Sequence, residues 1–541
     1  MRLNKLTHKN YTKLGNVFQL KLPLNIDVII PKDDSVRLLG QIIEEMDLRE
    51  IYQSYSRLRK NQPTPRQMLK ILIYAYMNRI YSSRQIELAC KRDINFMYLL
   101  EDAVAPDHTT IARFRSLHFA PVAKIMLARL NQLLAENGEL SLDNIFIDGT
   151  KIESASNKYT FVWKRAVTRN LQKLLDKIPA LFQNAETLFE IRIMHGKFIH
   201  LYHVKKLRKR LKQLQQAENI VFVHGIGKRK SQIQRMLEQV DEVIRRLKKY
   251  AKYLHIAGNR NSFSKTDQDA TFMRMKEDAM KNGQLKPAYN IQFGVDAEYV
   301  VWITAGPQPN DTTTLIPFLN EQETFFPYRY NKVVADSGYE SEENYLYLES
   351  HKQASYIKPS NYEQSKTRKY KNDIGRRENM PYDEMSDSYL CANGKKITKD
   401  GTRRVKSRTK YVSEKTLYSC KDCAGCTYKA ECIKGRNSTL PLNERSKHFE
   451  VAKTFQAKRM ESLERIVSEE GQLLRMNRSI QSEGAFGEVK CNMEFRRFLC
   501  RGTENVLAES ILLGLAHNVN KLHSKIQNEH CGEYLHPLKT A

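Results

Sequence analysis

Long apolar runs are missing from this chain. None approaches the ~20 residues that a transmembrane helix needs, and the opening Met1-Arg-Leu-Asn-Lys-Leu-Thr-His8 has no apolar stretch of the signal-peptide kind. A cytoplasmic protein without membrane contact is therefore expected. Cysteine is sparse and odd in number, nine in 541 residues with four of them tightly clustered, so a disulfide framework is not the reading. Thiols or metal ligands are. A phosphate-cradling glycine loop is also lacking: Gly227-Lys228 has no Ser or Thr after the lysine and no second glycine at the required spacing. Acidic side chains are in deficit as well, 61 against 89 Lys plus Arg, which argues against a cationic partner.

What is present points the other way. A net charge of +28 and a pI near 9.5 suit a polyanion bound through phosphate neutralisation, although a ribosome-associated protein or a binder of anionic lipid has the same balance. The length calls for two to four units with sizeable cores. Three short passages carry the chemistry: Asn144-Ile-Phe-Ile-Asp148-Gly-Thr, Lys332-Val-Val-Ala-Asp336-Ser-Gly, and Ser482-Glu483-Gly-Ala-Phe-Gly-Glu-Val-Lys490. Each aspartate follows a β-favouring apolar run and precedes small residues, which predicts a carboxylate at the exit of a buried strand. Carboxylates so placed can share hard cations, and magnesium takes one or two of them together with substrate phosphate oxygens. Glu483 is the third candidate, with Glu488 and Glu494 as neighbouring rivals. In a continuous helix Glu483 and Lys490, seven apart, share a face, one toward metal and the other toward DNA phosphate.

At these residues the chain resembles the bacterial insertion-sequence DDE transposases. The stretch from Asp148 to Trp163 is similar to their first-aspartate segment, Ala335 to Asn344 to their second, and Glu483 with Lys490 to the glutamate-x6-lysine end of their signature. The likeness runs in patches from about Pro65 to Leu522. It departs at Arg478, which stands one residue too far from Glu483, and at position 475, which holds Arg where the family has tyrosine. The resemblance implies an α/β, RNase H-like catalytic domain with a helical N-terminal domain and basic insertions. It implies that Asp148, Asp336 and Glu483 bind two Mg²⁺ or Mn²⁺ ions, and that Lys490 and Arg478 hold flanking phosphates, with Lys151 and Lys158 as further phosphate contacts. Double-stranded DNA, as element ends and target, is then the partner, and the complex contains a homodimer or higher assembly. Transesterification conserves the phosphodiester energy, so ATP is not required.

Organisation along the chain fits that scheme. Residues 1–140 read as a helical domain for DNA ends, with Thr64-Pro65 as an N-cap and first helical position and Asp107 to Arg115 opening a basic helix; a plain helical bundle is the bland alternative. Residues 141–360 read as the first part of the catalytic domain. They are interrupted at about 163–260 by two basic antiparallel helices that break at Gly225-Ile-Gly227, a solvated charged face being the alternative to DNA tracking. A hairpin is expected around Asp296, then helices near 313–322 and 342–350 and a strand at 354–358. Residues 361–445 read as a polar, basic, turn-rich insert, 446–525 as the helical end of the catalytic domain, and 526–541 as a loose tail. In the insert, Cys420, Cys423, Cys426 and Cys432, with Cys391 upstream, suit structural zinc, while an iron–sulfur cluster or plain thiols stay open. Glu153, Asp296 and Asp311 are candidate supporting acids, Asp296 more simply a hairpin end. Trp163 and Trp302 could stack on a base, although a strand tryptophan is more often core. Two other functions remain: a host RNase H-like nuclease without strand transfer, and a catalytically inactive DNA-binding regulator.

Overall fold

The computed structural model describes residues 29–55, 62–225, 227–275, 283–435, 438 and 440–538. Residues 1–28 of the expected N-terminal domain and Ile226 of the expected helix break lie outside them. Among the described residues seven α-helices come first: α1 (Ser35–Glu45), α2 (Arg49–Gln53), α3 (Pro65–Met77), α4 (Ser83–Arg92), α5 (Ile94–Leu100), α6 (His108–Arg113) and α7 (Ala123–Glu136). The start of α3 is written in its sequence. Thr64 and Gln67 close a reciprocal capping box, and Pro65 occupies a first-turn position where its missing N–H costs nothing. From Met68 to Met77 α3 is buried all round and apolar except for Lys70, which pairs with Glu44.

A mixed sheet follows. Strands β1 (Asn144–Glu153), β4 (Thr271–Arg274), β5 (Leu285–Asp296), β6 (Tyr299–Gly306), β7 (Lys332–Ala335) and β8 (Ala354–Ile357) lie in the order β4-β5-β1-β7-β8, with β6 also on β5. β1, β7 and β8 are parallel, whereas β5 runs against β1. The expected hairpin is there: Ala297 and Glu298 between β5 and β6 both take positive φ, the geometry of a tight turn matched to strand twist. Helices α12 (Leu315–Phe325) and α13 (Glu342–Ser350) connect the parallel strands.

Two insertions leave this sheet. Between β1 and β4, the short β2 (Phe161–Trp163) and β3 (Ser262–Ser264) pair as a ribbon that carries α8 (Lys164–Leu175), α9 (Ile178–Phe189), α10 (Leu201–Ala217) and α11 (Gln232–Ala257), four helices where two were expected. They enclose a hydrophobic core of their own. After β8 comes an antiparallel sheet of β9 (Tyr382–Asp383), β10 (Ser388–Leu390), β11 (Lys396–Lys406), β12 (Val412–Ser419) and β13 (His448–Val451) in the order β13-β12-β11-β10-β9. The sequence shows it only as a polar turn-rich stretch, because its strands are exposed on so much of their surface that polar or charged residues fill most positions. Six buried residues, among them Tyr389, Ile397 and Tyr418, make up its core. The tip of the β11–β12 hairpin folds back on α13, where Tyr411 and Thr409 donate hydrogen bonds to Glu342 and Glu343.

The chain ends in α14 (Lys453–Val467), α15 (Glu469–Gly487) and α16 (Thr503–Gln527). α16 runs between the sheet and the N-terminal helices. A Cβ on Gly514 would stand 2.7 Å from Ile303 of β6, and Asn518 both donates to and accepts from the backbone of Val300. On the other side Tyr76 of α3 donates to Glu509, and Asn131 of α7 donates to the carbonyl of Val301. The N-terminal helices and the sheet therefore share one continuous core. Residues after α16 are tied down as well: Tyr534 donates to the carbonyl of Gly138, and His536 exchanges hydrogen bonds with Asn477.

Candidate active site

Asp148 does not sit at a strand exit. β1 continues five residues beyond it, to Glu153, because Gly149-Thr-Lys-Ile-Glu is compatible with extended backbone and β5 supplies a partner as far as Ala288. What ends at this level is β7, whose last residue Ala335 lies opposite Ile147 in parallel register. Asp148 and Asp336 are thus the next residues on neighbouring parallel strands, at the point where the strands part. Each carboxylate accepts the N–H of the following residue, Asp148 from Gly149 at 2.7 Å and Asp336 from Ser337 at 2.6 Å.

α15 brings the third acid to the same face. Phe293, the partner of Asp148 across β5, stacks on Phe486 of α15 with ring centroids 4.6 Å apart. Arg478 of α15 lies between the acids, one guanidinium nitrogen 3.5 Å from the Asp148 carboxylate and another 3.5 Å from Glu483. Its side chain is 16% exposed, close to the 12% of Asp148 and far below the 60% of Glu483, so the arginine lies at the depth of the aspartate with Glu483 outside it. Arg475 turns elsewhere, to the Tyr362 hydroxyl and the Ile466 carbonyl. Among the described residues no group of three or more His, Cys, Asp or Glu side chains is arranged to hold a metal ion.

The expected rival Glu488 faces away from the aspartates and lies 3.4 Å from His517 of α16. Burial pushes its carboxyl up, but His517 and Lys521 outweigh this and the net shift is downward. The expectation that Glu483 and Lys490 share a helical face needs correction. α15 ends at Gly487 and the backbone widens into a π-helical turn, Glu488–Asn492, so seven residues no longer make two α-turns. Lys490 is half-buried within that turn. Lys151, three residues after Asp148, belongs by strand alternation to the opposite face, and Lys158 lies in the loop toward the helical insertion with its ammonium over the Tyr159 ring.

Three supporting residues escaped the sequence reading or gained a definite place. Tyr339 is buried, donates its hydroxyl hydrogen bond to Gln292, and has its phenol pushed far up by burial and then by the charges of Asp311, Asp148 and Asp336. Asp311 accepts from Asn290 at 2.6 Å and from Gln292 at 3.0 Å. A Cβ on Gly149 would meet Asp311 at 2.7 Å, and one on Gly338 would meet it at 3.3 Å. The glycines next to both aspartates thus make room for one shared acid behind them, a signal visible in the sequence only as Asp-Gly and Asp-Ser-Gly. Glu153 pairs with Lys286 at 3.1 Å. Trp302 is buried against Phe325 in the core, and Trp163 lies among Phe161 and Phe272.

Asp296 is at the far end of β5, where it accepts from Ser141 and the Leu142 N–H. Burial raises its pKa from 3.8 to about 6. A carboxyl raised on folding stabilises the protein fully below its unfolded pKa, and that contribution is lost as pH rises through about 6. Between pH 4 and 7 the parent is expected to lose up to about 3 kcal/mol relative to Asp296→Asn. Urea titrations of both proteins at the two pH values measure this; a pH-independent difference would contradict it.

No described helix is long and apolar enough to cross a membrane. No curated protein and no solved structure matches the chain. Two family profiles do: the transposase DDE domain over residues 390–523, which takes in Arg478, Glu483, Lys490 and the cysteine insert, and the transposase domain DUF772 over residues 24–117, which takes in α1 to α6. With paired aspartates on neighbouring strands of the sheet, the two transposase profiles on one chain indicate an insertion-sequence DDE transposase.

Proposed function

We propose that Asp148, Asp336 and Glu483 hold two Mg²⁺ or Mn²⁺ ions on an RNase H-like sheet, and that the protein cuts element-end DNA there and joins it to target DNA. The observation that carries this reading is the Ile147–Ala335 register, which makes Asp148 and Asp336 neighbours on the face that α15 covers. Oxygen-only donors of this kind fit hard divalent cations. Bound there, such ions supply Lewis acidity to the attacking and leaving oxygens of an in-line phosphoryl displacement. Arg478 neutralises Asp148 and Glu483 in the present arrangement and turns to a DNA phosphate when cations take over that task. Lys490 holds a second phosphate, Asp311 and Tyr339 keep the two aspartate segments in place, and the helices around Asp107 to Arg115 read the element ends. The reading implies a dimer or higher assembly on two ends, working in the cytoplasm with the DNA. Incubation of the protein with end-containing duplex, target plasmid and Mg²⁺ tests it. Strand-transfer products are expected; cleavage without joining would indicate a nuclease instead.

The helical insertion is proposed to track the same DNA. Lys and Arg outnumber Asp and Glu by 22 to 7 between residues 164 and 257. The insertion leaves the sheet beyond the end of β1 toward which Asp148 and Asp336 lie, and its 26-residue α11 is about 39 Å long, roughly one turn of duplex. On α10, Lys205, Lys209 and Lys212 share an exposed face, while Val204, Leu207 and Leu211 fill the core. Replacing the three lysines by Gln is expected to reduce the slope of log affinity against log salt by about 3, near one unit per lost phosphate contact, with no change in melting temperature. An unchanged slope would leave α10 a solvated charged face.

A further inference from the structure

The cysteines of the β-sheet insert lie together in space, and Cys391, 29 residues before the main cluster, lies with them. Cys391, Cys420, Cys423, Cys426 and Cys432 line one cavity of about 20 Å³ with Lys447 beside them, and all five are free thiols. A cavity that size holds one water-sized sphere. Cys391 and Cys420 are placed by strands: each directly follows one, β10 and β12, and the register of both with β11 brings them to the same end of the sheet. Tight turns fix both. The Cys391 carbonyl accepts from Gly394 at 2.9 Å, and the Cys420 N–H donates to the Lys447 carbonyl at 2.9 Å. Cys423 already accepts the Lys447 N–H on its sulfur at 3.3 Å, and Lys447 also donates to the carbonyl of Cys432, which ends the one-turn helix Lys429–Cys432.

Neighbour relations among the thiols are unequal. Cys420 belongs to the buried core of the insert, and Cys391, Cys423 and Cys432 pack against that core, whereas Cys426 is not among the residues packed on it. We propose that Cys391, Cys420, Cys423 and Cys432 form a tetrathiolate site for a structural zinc ion, with Cys426 outside the ligand set. This replaces Cys426 by Cys391 in the set that spacing alone suggests. Zinc thiolate sites are tetrahedral with Zn–S near 2.3 Å, which asks for sulfurs about 3.8 Å apart. In their present rotamers the four do not form such a group, so binding takes rotation of the cysteine side chains about the torsion that separates each sulfur from its backbone. The physical need is plain: with six buried residues in its core, the insert has little apolar burial to hold five strands, and a metal supplies what burial does not.

The inference is independent of the DNA chemistry and is tested on the full chain. Protein purified without chelator is expected to contain about one zinc per chain. Cys391→Ser and Cys423→Ser should lose it, while Cys426→Ser keeps it. Because the losing variants can also misfold, metal-stripped parent protein provides a second measurement. Added zinc should protect four thiols from a thiol reagent, and added cobalt should give the intense sulfur-to-metal absorption of a tetrathiolate. Absence of zinc from the parent with no thiol protection would overturn the site. Loss of metal from Cys426→Ser but not Cys391→Ser would overturn the ligand set, and a visible absorption band in protein as purified would assign iron–sulfur in place of zinc.

Discussion

Asp148→Asn and Asp336→Asn, made separately, are expected to lower Mg²⁺-dependent cleavage of element-end DNA by about 10³-fold or more while leaving the thermal unfolding transition in place. The size follows from the several kcal/mol that metal Lewis acidity contributes to phosphoryl transfer, about 1.4 kcal/mol being tenfold in rate. Folding should survive, because each carboxylate accepts the N–H of the next residue and an asparagine oxygen accepts that bond as well. Glu483→Gln should match the aspartate variants, whereas Glu488→Gln, whose partner is His517, should cut within a few-fold of the parent. Single-turnover cleavage assays decide between them. Normal cutting by Glu483→Gln together with a dead Glu488→Gln would transfer the third role to Glu488.

The second large effect is expected at Gly471, twelve residues before Glu483 on the same helix. A Cβ there would stand 1.9 Å from the Arg465 carbonyl oxygen and 2.6 Å from the Ile466 Cα, both backbone atoms of the preceding helix. No rotamer relieves such a contact, so Gly471→Ala must prise α14 and α15 apart. The stability loss should reach about 1–3 kcal/mol, the range for an overpacked core. Activity should fall further than stability explains, because α15 carries Arg478 and Glu483 and a tilt at its first turn swings both. Calorimetry together with cleavage assays at a temperature where the variant is folded would show the two losses separately; normal cleavage by a folded variant would mean that the helix pair absorbs the methyl elsewhere.

Much of this arrangement is legible in the sequence because it is local. Ile145-Phe-Ile147 and Val333-Val-Ala335 announce buried strands, Ala297-Glu298 between two apolar runs announces a turn, and Thr64-Pro65 announces a helix start. What escapes is set by distant pairing. Nothing near Asp148 shows that its strand keeps going after its parallel partner has stopped, since that depends on β5, more than 130 residues later. The role of Arg478 depends on a helix crossing fixed by Phe486 on Phe293, and that of Asp311 on glycines in two other segments. The five-stranded insert is hidden for another reason. Its strands bury so few side chains that the apolar alternation by which strands are recognised is nearly absent. The sharing of one core between the N-terminal helices and the sheet is hidden too, because an apolar helix such as α3 or α16 does not declare which neighbour covers it.

The wide separation of the site acids along the chain has a consequence during synthesis. Glu483 follows Asp148 by 335 residues, and the helix that fills the middle of the common core, α16, comes later still. At about 5–20 residues per second a ribosome needs on the order of 20 to 70 s to cover that distance. Throughout this time β1 waits beside the N-terminal helices without the strand that places Asp336 next to Asp148 and without the wall that α16 provides. A polypeptide released early, by a stop codon or a stalled ribosome in the cysteine insert, would carry both aspartates and much of the basic surface, yet neither Glu483 nor a closed core. On the proposed assignment such fragments are expected to occupy DNA without cutting it, so interrupted translation would yield competitors of the enzyme rather than weaker copies of it.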